Sequence, residues 1–322
     1  MKPSAGAVIV SWNSASDLAP CLSATLAAGL DQIVVVDNAS RDNSREIVAS
    51  FPTVQLISCP GNTGFAGGVN RGVQALTTDY VLILNPDCYI ESGISALLEA
   101  ASGGAAAGRL LDFAGAWQAG FAARRLPTPL TLVFEVLGIN RLFPANPVNR
   151  HYRCADFDTA LPQDVEQPPG AFFLVKKSVF HQLAGMDEGF WPVWFEDVDF
   201  CARLQAAGYR IRYTPEARAH HRGGASVNRI YWPFKELAWY GSLLRYATLH
   251  FGWLARRLVG LAVAAASVPR SITGIVFRRQ GLRAFGVYAR VFSLAWICLV
   301  TGRVDIRRFG RQLEGADQLE NA

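Results

Sequence analysis

The sequence predicts an α/β fold: a Rossmann-like, mostly parallel sheet covered by helices on both faces, with a C-terminal helical extension that associates with membrane. Three observations predict it. Short apolar, β-branched runs at 7–12, 32–36, 54–58 and 80–84 alternate with helical stretches, the pattern of right-handed βαβ units. Polar residues gather just beyond three of these runs, at Trp12-Asn13, Asp37-Asn38 and Asn85-Pro86-Asp87, where open α/β sheets bind ligands. From Arg245 onward basic residues dominate, and acids are nearly absent until Asp305.

Composition sets the limits. A chain of 322 residues, 51% hydrophobic, has room for two domains, or for one α/β domain with an appendage. A net charge of +5 points to an anionic partner: nucleic acid, a phosphorylated substrate or a membrane surface. The six cysteines form no C-x-x-C pair and mostly lie in apolar runs, so reduced core thiols in a cytosolic protein are expected. No long apolar h-region follows the first charge, so no signal peptide is expected.

Each element follows in order. After the first strand, Asn13 and Ser14 turn the chain, and Ser16 or Asp17 caps a helix through 26. Residues 40–43 are loop and 44–50 helix. Pro60-Gly61-Asn62-Thr63-Gly64 turns into a helix over 65–76. A helix over 94–101 and a strand over 105–112 come next. Residues 115–161, rich in Pro, Asn and Arg, read as irregular, a flap or an acceptor loop. A strand over 170–175, a helix over 178–183 and a turn at 185–188 lead to the aromatic cluster Phe190, Trp191, Trp194 and Phe195. This cluster runs into Glu196, Asp197 and Asp199 and a helix closed by Gly208. A strand over 209–213, then Pro215, precedes His220-His221. Beyond 230, aromatics alternate with Arg and Lys at helical spacing. The apolar runs 258–268, stopped by Pro269, and 291–302 are too short to span a bilayer. With Trp239, Trp253, Trp296 and basic flanks they read as segments lying in a membrane interface. A helical subdomain packed on the core or on another subunit is the alternative.

Several residues carry chemistry. Acids in a first helical turn face the positive end of the macrodipole, which favours the ionised form that a general base needs. A helix start merely capped by Asp197 is the plain alternative. Small residues over 60–72 let backbone approach an anion, with helix N–H groups aimed at it. The run is not G-x-G-x-x-G, and a tight strand–helix connection also accounts for it. Asp87, at a strand's C-terminal edge, is placed to hold a hard divalent cation, although Asn-Pro turns are common. His221 suits a second ligand position or a structural one. Taken together, Asp37, Asp87, Asp197 and His221 fall on one side of one sheet. That arrangement suits a nucleoside diphosphate held through a metal, with a base opposite.

On these residues the sequence resembles the family 2 inverting glycosyltransferases of the GT-A fold, notably the bacterial rhamnosyltransferase-like branch. The resemblance spans about residues 5–250. It rests on Val8-Ile-Val-Ser-Trp-Asn13, Val34-Val-Val-Asp-Asn-Ala-Ser40, Asn62-Thr-Gly-Phe-Ala-Gly-Gly-Val-Asn-Arg-Gly72, Leu84-Asn-Pro-Asp87, Gly170-Ala-Phe-Phe-Leu-Val-Lys-Lys177, Gly185-Met-Asp-Glu188, Phe195-Glu-Asp-Val-Asp-Phe-Cys201 and His221-Arg-Gly-Gly-Ala-Ser226. It implies Trp12 on the nucleobase and Asp37 on base or ribose. Ser11, Asn13, Asn62, Gly64, Phe65, Asn70 and Asn85 complete the nucleotide-sugar site. It also implies Asp87 and His221 toward Mg²⁺ or Mn²⁺ and the diphosphate, and Asp197 as catalytic base. Asn85 stands where a D-x-D motif has its first Asp, leaving one fewer charged ligand. Phe190, Trp191, Trp194 and Glu196 are expected around the acceptor.

The implied organisation is a catalytic domain over 1–230 (nucleotide-sugar half about 1–113, acceptor half about 114–230) and a membrane-surface region over 231–322. The expected activity moves a sugar, best L-rhamnose from dTDP-L-rhamnose, onto a polyprenyl-diphosphate-linked or polysaccharide acceptor. The enzyme would lie on the inner face of the cytoplasmic membrane, with oligomers allowed and no nucleic-acid partner. A UDP-sugar donor stays open. From other classes, so do a sugar-phosphate nucleotidyltransferase and a non-catalytic basic membrane- or nucleic-acid-binding protein.

Overall fold

The computed structural model describes residues 3–119, 123–224, 229–276 and 281–306. Ala225 and Ser226 of the last quoted motif, and Arg278, Arg279, Arg307, Arg308 and Arg311 of the basic run, lie outside the described residues. The strands are β1 Ala5–Ser11, β2 Gln32–Asp37, β3 Gln55–Ser58, β4 Tyr80–Leu84, β5 Cys88–Ser92, β6 Gly104–Leu111, β7 Gln163–Asp164, β8 Phe172–Lys176 and β9 Arg210–His221. The helices are α1 Ala15–Ala27, α2 Ser44–Ala49, α3 Gly64–Ala75, α4 Ile94–Ala100, α5 Pro129–Val136, α6 Ile139–Leu142, α7 Pro147–Tyr152, α8 Lys177–Gln182, α9 Glu196–Ala206, α10 Trp232–His250, α11 Trp253–Val276 and α12 Leu282–Thr301.

The chain forms two compact units, one of residues 1–126, 156–188 and 196–228, the other of 127–155, 189–195 and 229–322. The first unit holds one sheet in the order β3-β2-β1-β4-β8-β6-β9-β5, with β7 on β9. Strand period 2 divides its core. Ala7, Ile9, Val35 and Leu82 pack with Leu18, Leu22 and Leu97 on one face. Val8, Val10, Val34 and Ile83 pack with Val69, Phe180 and Leu204 on the other. Helices thus cover both faces, as the apolar runs predict. The sheet is parallel through β3-β2-β1-β4 and mixed beyond it, because β8 runs antiparallel to both β4 and β6.

Two expectations change. Two glycines of the 60–72 run, Gly68 and Gly72, are required by packing. A Cβ at Gly68 would lie 2.6 Å from Val10 Cγ1, and one at Gly72 would lie 2.3 Å from Val8 Cγ1. Gly72→Ala should therefore destabilise the protein by about 1–3 kcal/mol, since a crowded core cannot absorb a methyl freely. Denaturant unfolding checks this, and an unchanged midpoint would contradict the packing role. β9, expected to stop near 213, continues to His221. Its ladder with β6 slips between Gly108 and Arg109, and Pro215 sits in that irregularity, where the missing N–H breaks no regular pairing.

Helix α9 ends as predicted. Gly208 has φ +86, its N–H donates to Gln205 O (2.9 Å), and Tyr209 N–H donates to Leu204 O (3.2 Å), a Schellman closure.

In the second unit, the segment read as irregular contains α5 and α7. Each is capped by a side chain and opened by proline: Thr128 accepts from Thr131 N–H ahead of Pro129, and Asn146 from Asn149 N–H ahead of Pro147. The runs expected to be too short to span a bilayer are parts of longer helices. α11 carries Pro269 inside it, and α11 and α12 are both long and apolar enough to cross a membrane by length and composition. Pro269 forfeits one backbone bond, while neighbouring Arg270 is anchored on Val136 O and over the Tyr240 ring at 5.8 Å.

Candidate active site

The site is built at the C-terminal ends of β1, β2 and β4. Ser11 and Asp37 end their strands as register partners and are buried, at 0% and 1% exposure. Asp37 Oδ2 accepts Ser40 N–H (3.1 Å) and lies 3.9 Å from Arg45 Nε. Asp37 Oδ1 and Ser11 Oγ have no hydrogen-bond partner among the described residues. Unmatched buried polar atoms are costly unless a ligand meets them. Asn13, at φ 51, accepts Arg41 N–H (2.8 Å) and donates its own N–H to Ser40 Oγ (2.9 Å), beside half-buried Trp12. Asn38 accepts from Thr63 N–H and Oγ1 (both 2.9 Å) and donates to Gly64 O (2.9 Å). Asn62 accepts Gly64 N–H (2.8 Å). These bonds set the start of α3, with half-buried Phe65 in its first turn, beside the end of β2.

Asn70 is placed differently. Its Oδ1 accepts Met186 N–H (2.9 Å), and its Nδ2 donates to Met186 O (2.9 Å) and Glu188 Oε1 (3.1 Å). The amide holds the 185–188 turn on α3, which gives it a structural task.

Asp87 and His221 are brought together. Cys88 and His221 pair across β5 and β9, and His221 Nε2 lies 3.5 Å from Asp87 Oδ1. His221 Nδ1 lies 3.0 Å from Gln118 Oε1, and Gln118 Nε2 donates back to His221 O. Because Gln118 uses its NH₂ on that carbonyl, its oxygen must accept from Nδ1–H. In the neutral imidazole, Nε2 then presents its lone pair toward the Asp87 carboxylate. Two acceptors facing one another fit a cation between them, and a histidine oriented through its other nitrogen is the usual metal-ligand arrangement. Among the described residues no cluster of three His, Cys, Asp or Glu forms, so a cation held by this pair would have to complete its shell with water and phosphate oxygens, as Mg²⁺ and Mn²⁺ do. Asp87 Oδ2 also accepts Gly223 N–H (3.1 Å). Asn85 stands two residues before it, its backbone N–H on Ala171 O (3.0 Å).

From Ala171 the chain leads to Asp197. Gly170 N–H donates to Asp197 Oδ2 (3.3 Å), and Val198 N–H donates to Oδ1 (2.8 Å). A side chain at Gly170 would crowd this carboxylate, its Cβ 3.3 Å from Oδ2. Burial raises the Asp197 pKa above the ordinary carboxylate value, against these backbone donors and the Arg124 charge, which lower it. This reverses the expectation from the helix dipole alone, and brings the group nearer the neutral range in which a base works best.

Glu196 is buried at 4% exposure, and its Oε2 has no partner among the described residues. Burial, then the Asp197 charge, push its pKa well up. A carboxyl with a raised folded pKa binds a proton on folding. It therefore favours the fold at low pH and loses that contribution as pH climbs through the raised value. Glu196→Gln should flatten the decline of the unfolding midpoint as pH rises above the ordinary glutamate value of 4.5. Coincident wild-type and variant profiles would contradict this.

Asp199 is structural. It holds Arg203 (Nε 2.8 Å, Nη2 2.7 Å), which reaches Leu183 O and Gly185 O. Phe190 and Trp191, expected around the acceptor, are instead core. Phe190 is wholly buried under Arg245, 5.4 Å from its ring, and Trp191 lies on Phe234 at 5.3 Å. Trp194 is half-buried and, with Phe195, adopts positive φ (81 and 68) immediately before the acids.

The sequence reading missed Gln118, which lay in a stretch without periodicity, and Arg222. Arg222 is half-exposed, pairs with buried Asp17 at 3.0 Å and lies 5.9 Å from the Phe113 ring. Its position directly after His221 was the available signal.

A family model described as glycosyl transferase family 2 matches residues 7–155, and one described as the N-terminal domain of galactosyltransferase matches 150–222. The chain is 31% identical over 241 residues to N-acetylglucosaminyl-diphospho-decaprenol L-rhamnosyltransferase of Mycobacterium tuberculosis, covering 69% of this chain and 76% of that protein. It is 28% identical over 210 residues to Rhamnosyltransferase WbbL of Escherichia coli K12, covering 59% and 72%. The crystal structure of GalNAc-T7 with UDP, GalNAc and Mn²⁺ superposes with a TM-score of 0.51 at 15% identity, over 68% of this chain and 44% of that one. The fold is that of the GT-A glycosyltransferases.

Proposed function

The chain belongs to glycosyltransferase family 2, and from that premise we propose an inverting transfer of L-rhamnose from dTDP-L-rhamnose to a polyprenyl-diphosphate-linked sugar in cell-envelope glycan synthesis. The observation that carries it is the placement of Asp37, the Asp87–His221 pair and Asp197 around the strand ends of one sheet. The rhamnosyl specificity draws on relatives named as rhamnosyltransferases, one of them for a decaprenol-diphosphate acceptor.

The chain's own groups do the following. Asp37 and Ser11 receive the nucleoside through their unmatched oxygens, and half-buried Trp12 supplies a stacking surface. Asp87 and His221 would hold Mg²⁺ or Mn²⁺, which when bound offsets negative charge on the diphosphate. Asp197 accepts the proton of the acceptor hydroxyl, whose oxygen attacks the anomeric carbon from the face opposite the diphosphate as the bond from that carbon to the diphosphate oxygen breaks and the nucleoside diphosphate leaves, so configuration inverts. The basic C-terminal region associates with the cytoplasmic membrane surface, where a lipid-linked acceptor resides.

A panel of dTDP- and UDP-sugars, each with Mn²⁺, Mg²⁺ or EDTA, tests the reading through thermal stability. One dTDP-sugar that raises the midpoint only with metal supports it. A UDP-sugar doing so transfers the reading to that donor, and no response to any donor contradicts it. Gln118→Ala should weaken the metal-dependent part of that response by about 10–100-fold in metal affinity, the usual cost of losing a ligand's orienting partner.

A further inference from the structure

The second unit differs from the first in charge as well as packing. Its three segments hold seventeen Arg and Lys against six Asp and Glu, a net +11. The first unit holds fourteen against twenty, a net −6. The whole positive balance of the chain therefore resides in the second unit.

Exposed apolar side chains are divided in the same way. Among the described residues, every large exposed hydrophobic lies in the second unit except Leu26, Phe113 and Leu161. On α11, Leu254, Leu258, Leu261, Val268, Ile272 and Ile275 are exposed, and the exposed Ala265 completes their alternating four- and three-residue spacing. They make one uncharged line, about 30 Å long at 1.5 Å per residue. On α12, Leu282, Phe285, Phe292, Trp296 and Val300 make a second. Leu130, Leu137, Leu142 and Phe143 add a third exposed group, on and beside α5, which packs against α11. Arg257 lies 4.1 Å over the Trp253 ring at the start of α11, an aromatic–cation pair suited to a headgroup layer.

We propose that the second unit lies in the plane of an anionic bilayer face, with the α11 and α12 lines and the Leu142–Phe143 corner among the acyl chains and the arginines among the headgroups. This gives a footprint to the membrane association proposed above and rests on that part of it. It extends the contact to residues 130–143, far in sequence from the C-terminal helices. Two features favour lying in the plane over crossing it. Arg283 and Arg290 are exposed on α12. The unit also carries half-buried Glu236 on Tyr288 (3.1 Å) and half-buried Arg270 on Val136 O, charges that a hydrocarbon core disfavours. Charge argues against a second copy as the occupant. Every charged residue of α11 and α12 is arginine, so two such faces would repel, whereas an anionic surface attracts them.

The test is co-sedimentation of the full chain with vesicles of phosphatidylglycerol and phosphatidylethanolamine, against phosphatidylcholine alone. Strong binding to the anionic vesicles, at least about tenfold weaker on phosphatidylcholine or in high salt, is expected. The double variant Leu261→Glu/Val268→Glu, and separately Phe143→Glu, should reduce anionic-vesicle binding at least about tenfold. Both alter exposed positions, so the unfolding midpoint and nucleotide-sugar binding should be unchanged. Equal binding to both vesicle types would overturn the proposal, as would unchanged binding by the variants. So would a concentration-dependent dimer that Leu261→Glu/Val268→Glu dissociates in the absence of lipid. Labelling of Leu282→Cys in sealed cells by a membrane-impermeant maleimide from outside would overturn the in-plane placement in favour of a crossing hairpin. Donor binding read in parallel keeps a failure here distinct from a failure of the transferase reading.

Discussion

Asp197→Asn lowers sugar transfer by about 10²–10⁴-fold, the range that general-base catalysis contributes, while nucleotide-sugar binding stays within about twofold and the unfolding midpoint does not fall. The amide is close in shape to the carboxylate and keeps an oxygen for Val198 N–H or Gly170 N–H, so the start of α9 is retained. What it loses is a basic oxygen. Wild-type activity should rise with pH through the raised Asp197 pKa, since burial holds the carboxyl protonated to higher pH than in the unfolded chain. Rates at saturating donor across pH, with donor affinity from calorimetry, separate the two effects. Donor binding lost together with activity would remove Asp197 from the role of base.

Asp87→Asn has the second large effect. The substitution preserves volume and an acceptor for Gly223 N–H, but the carboxylate facing His221 Nε2 at 3.5 Å is gone. Nucleoside diphosphate affinity in Mn²⁺ should drop at least about tenfold, to the level that the wild type shows in EDTA, as expected when a hard anionic ligand is lost. Nucleoside affinity, which rests on Asp37, Ser11 and Trp12, should hardly change. Wild-type affinity that is the same in Mn²⁺ and EDTA would leave Asp87–His221 as an ordinary buried contact between β9 and the turn before β5.

Much of this was legible in the chain. The alternating β-branched runs gave the N-terminal half of the sheet nearly residue by residue, because strands buried on both faces leave unbroken apolar stretches. The strand-end positions of Asp37 and Asp87 followed from them. Other features depend on tertiary contacts that no local pattern encodes. Asn70 and Asn85 look alike as motif residues, yet only the 185–188 turn engages the amide of the first. Phe190 and Trp191 read as an open aromatic wall, and it is α10, some forty residues later, that buries them. The opposite directions of dipole and burial at Asp197 needed the neighbourhood of the carboxyl before the larger could be chosen. α5 and α7 were readable in principle: Thr128-Pro129 and Asn146-Pro147 are cap-and-proline starts. They were hidden by the weight given to Pro and Asn as loop formers. Pro269 misled in the same way, since helix α11 accepts it.

One measurement bears most directly on the whole account: the release of dTDP from dTDP-L-rhamnose by the wild-type chain, with anionic vesicles carrying a polyprenyl-diphosphate-linked N-acetylglucosamine, in Mn²⁺ or in EDTA. The account predicts release that requires both acceptor and metal, matched by a product of inverted anomeric configuration. Release that ignores the acceptor and the metal, or its absence for every dTDP- and UDP-sugar offered, would contradict it.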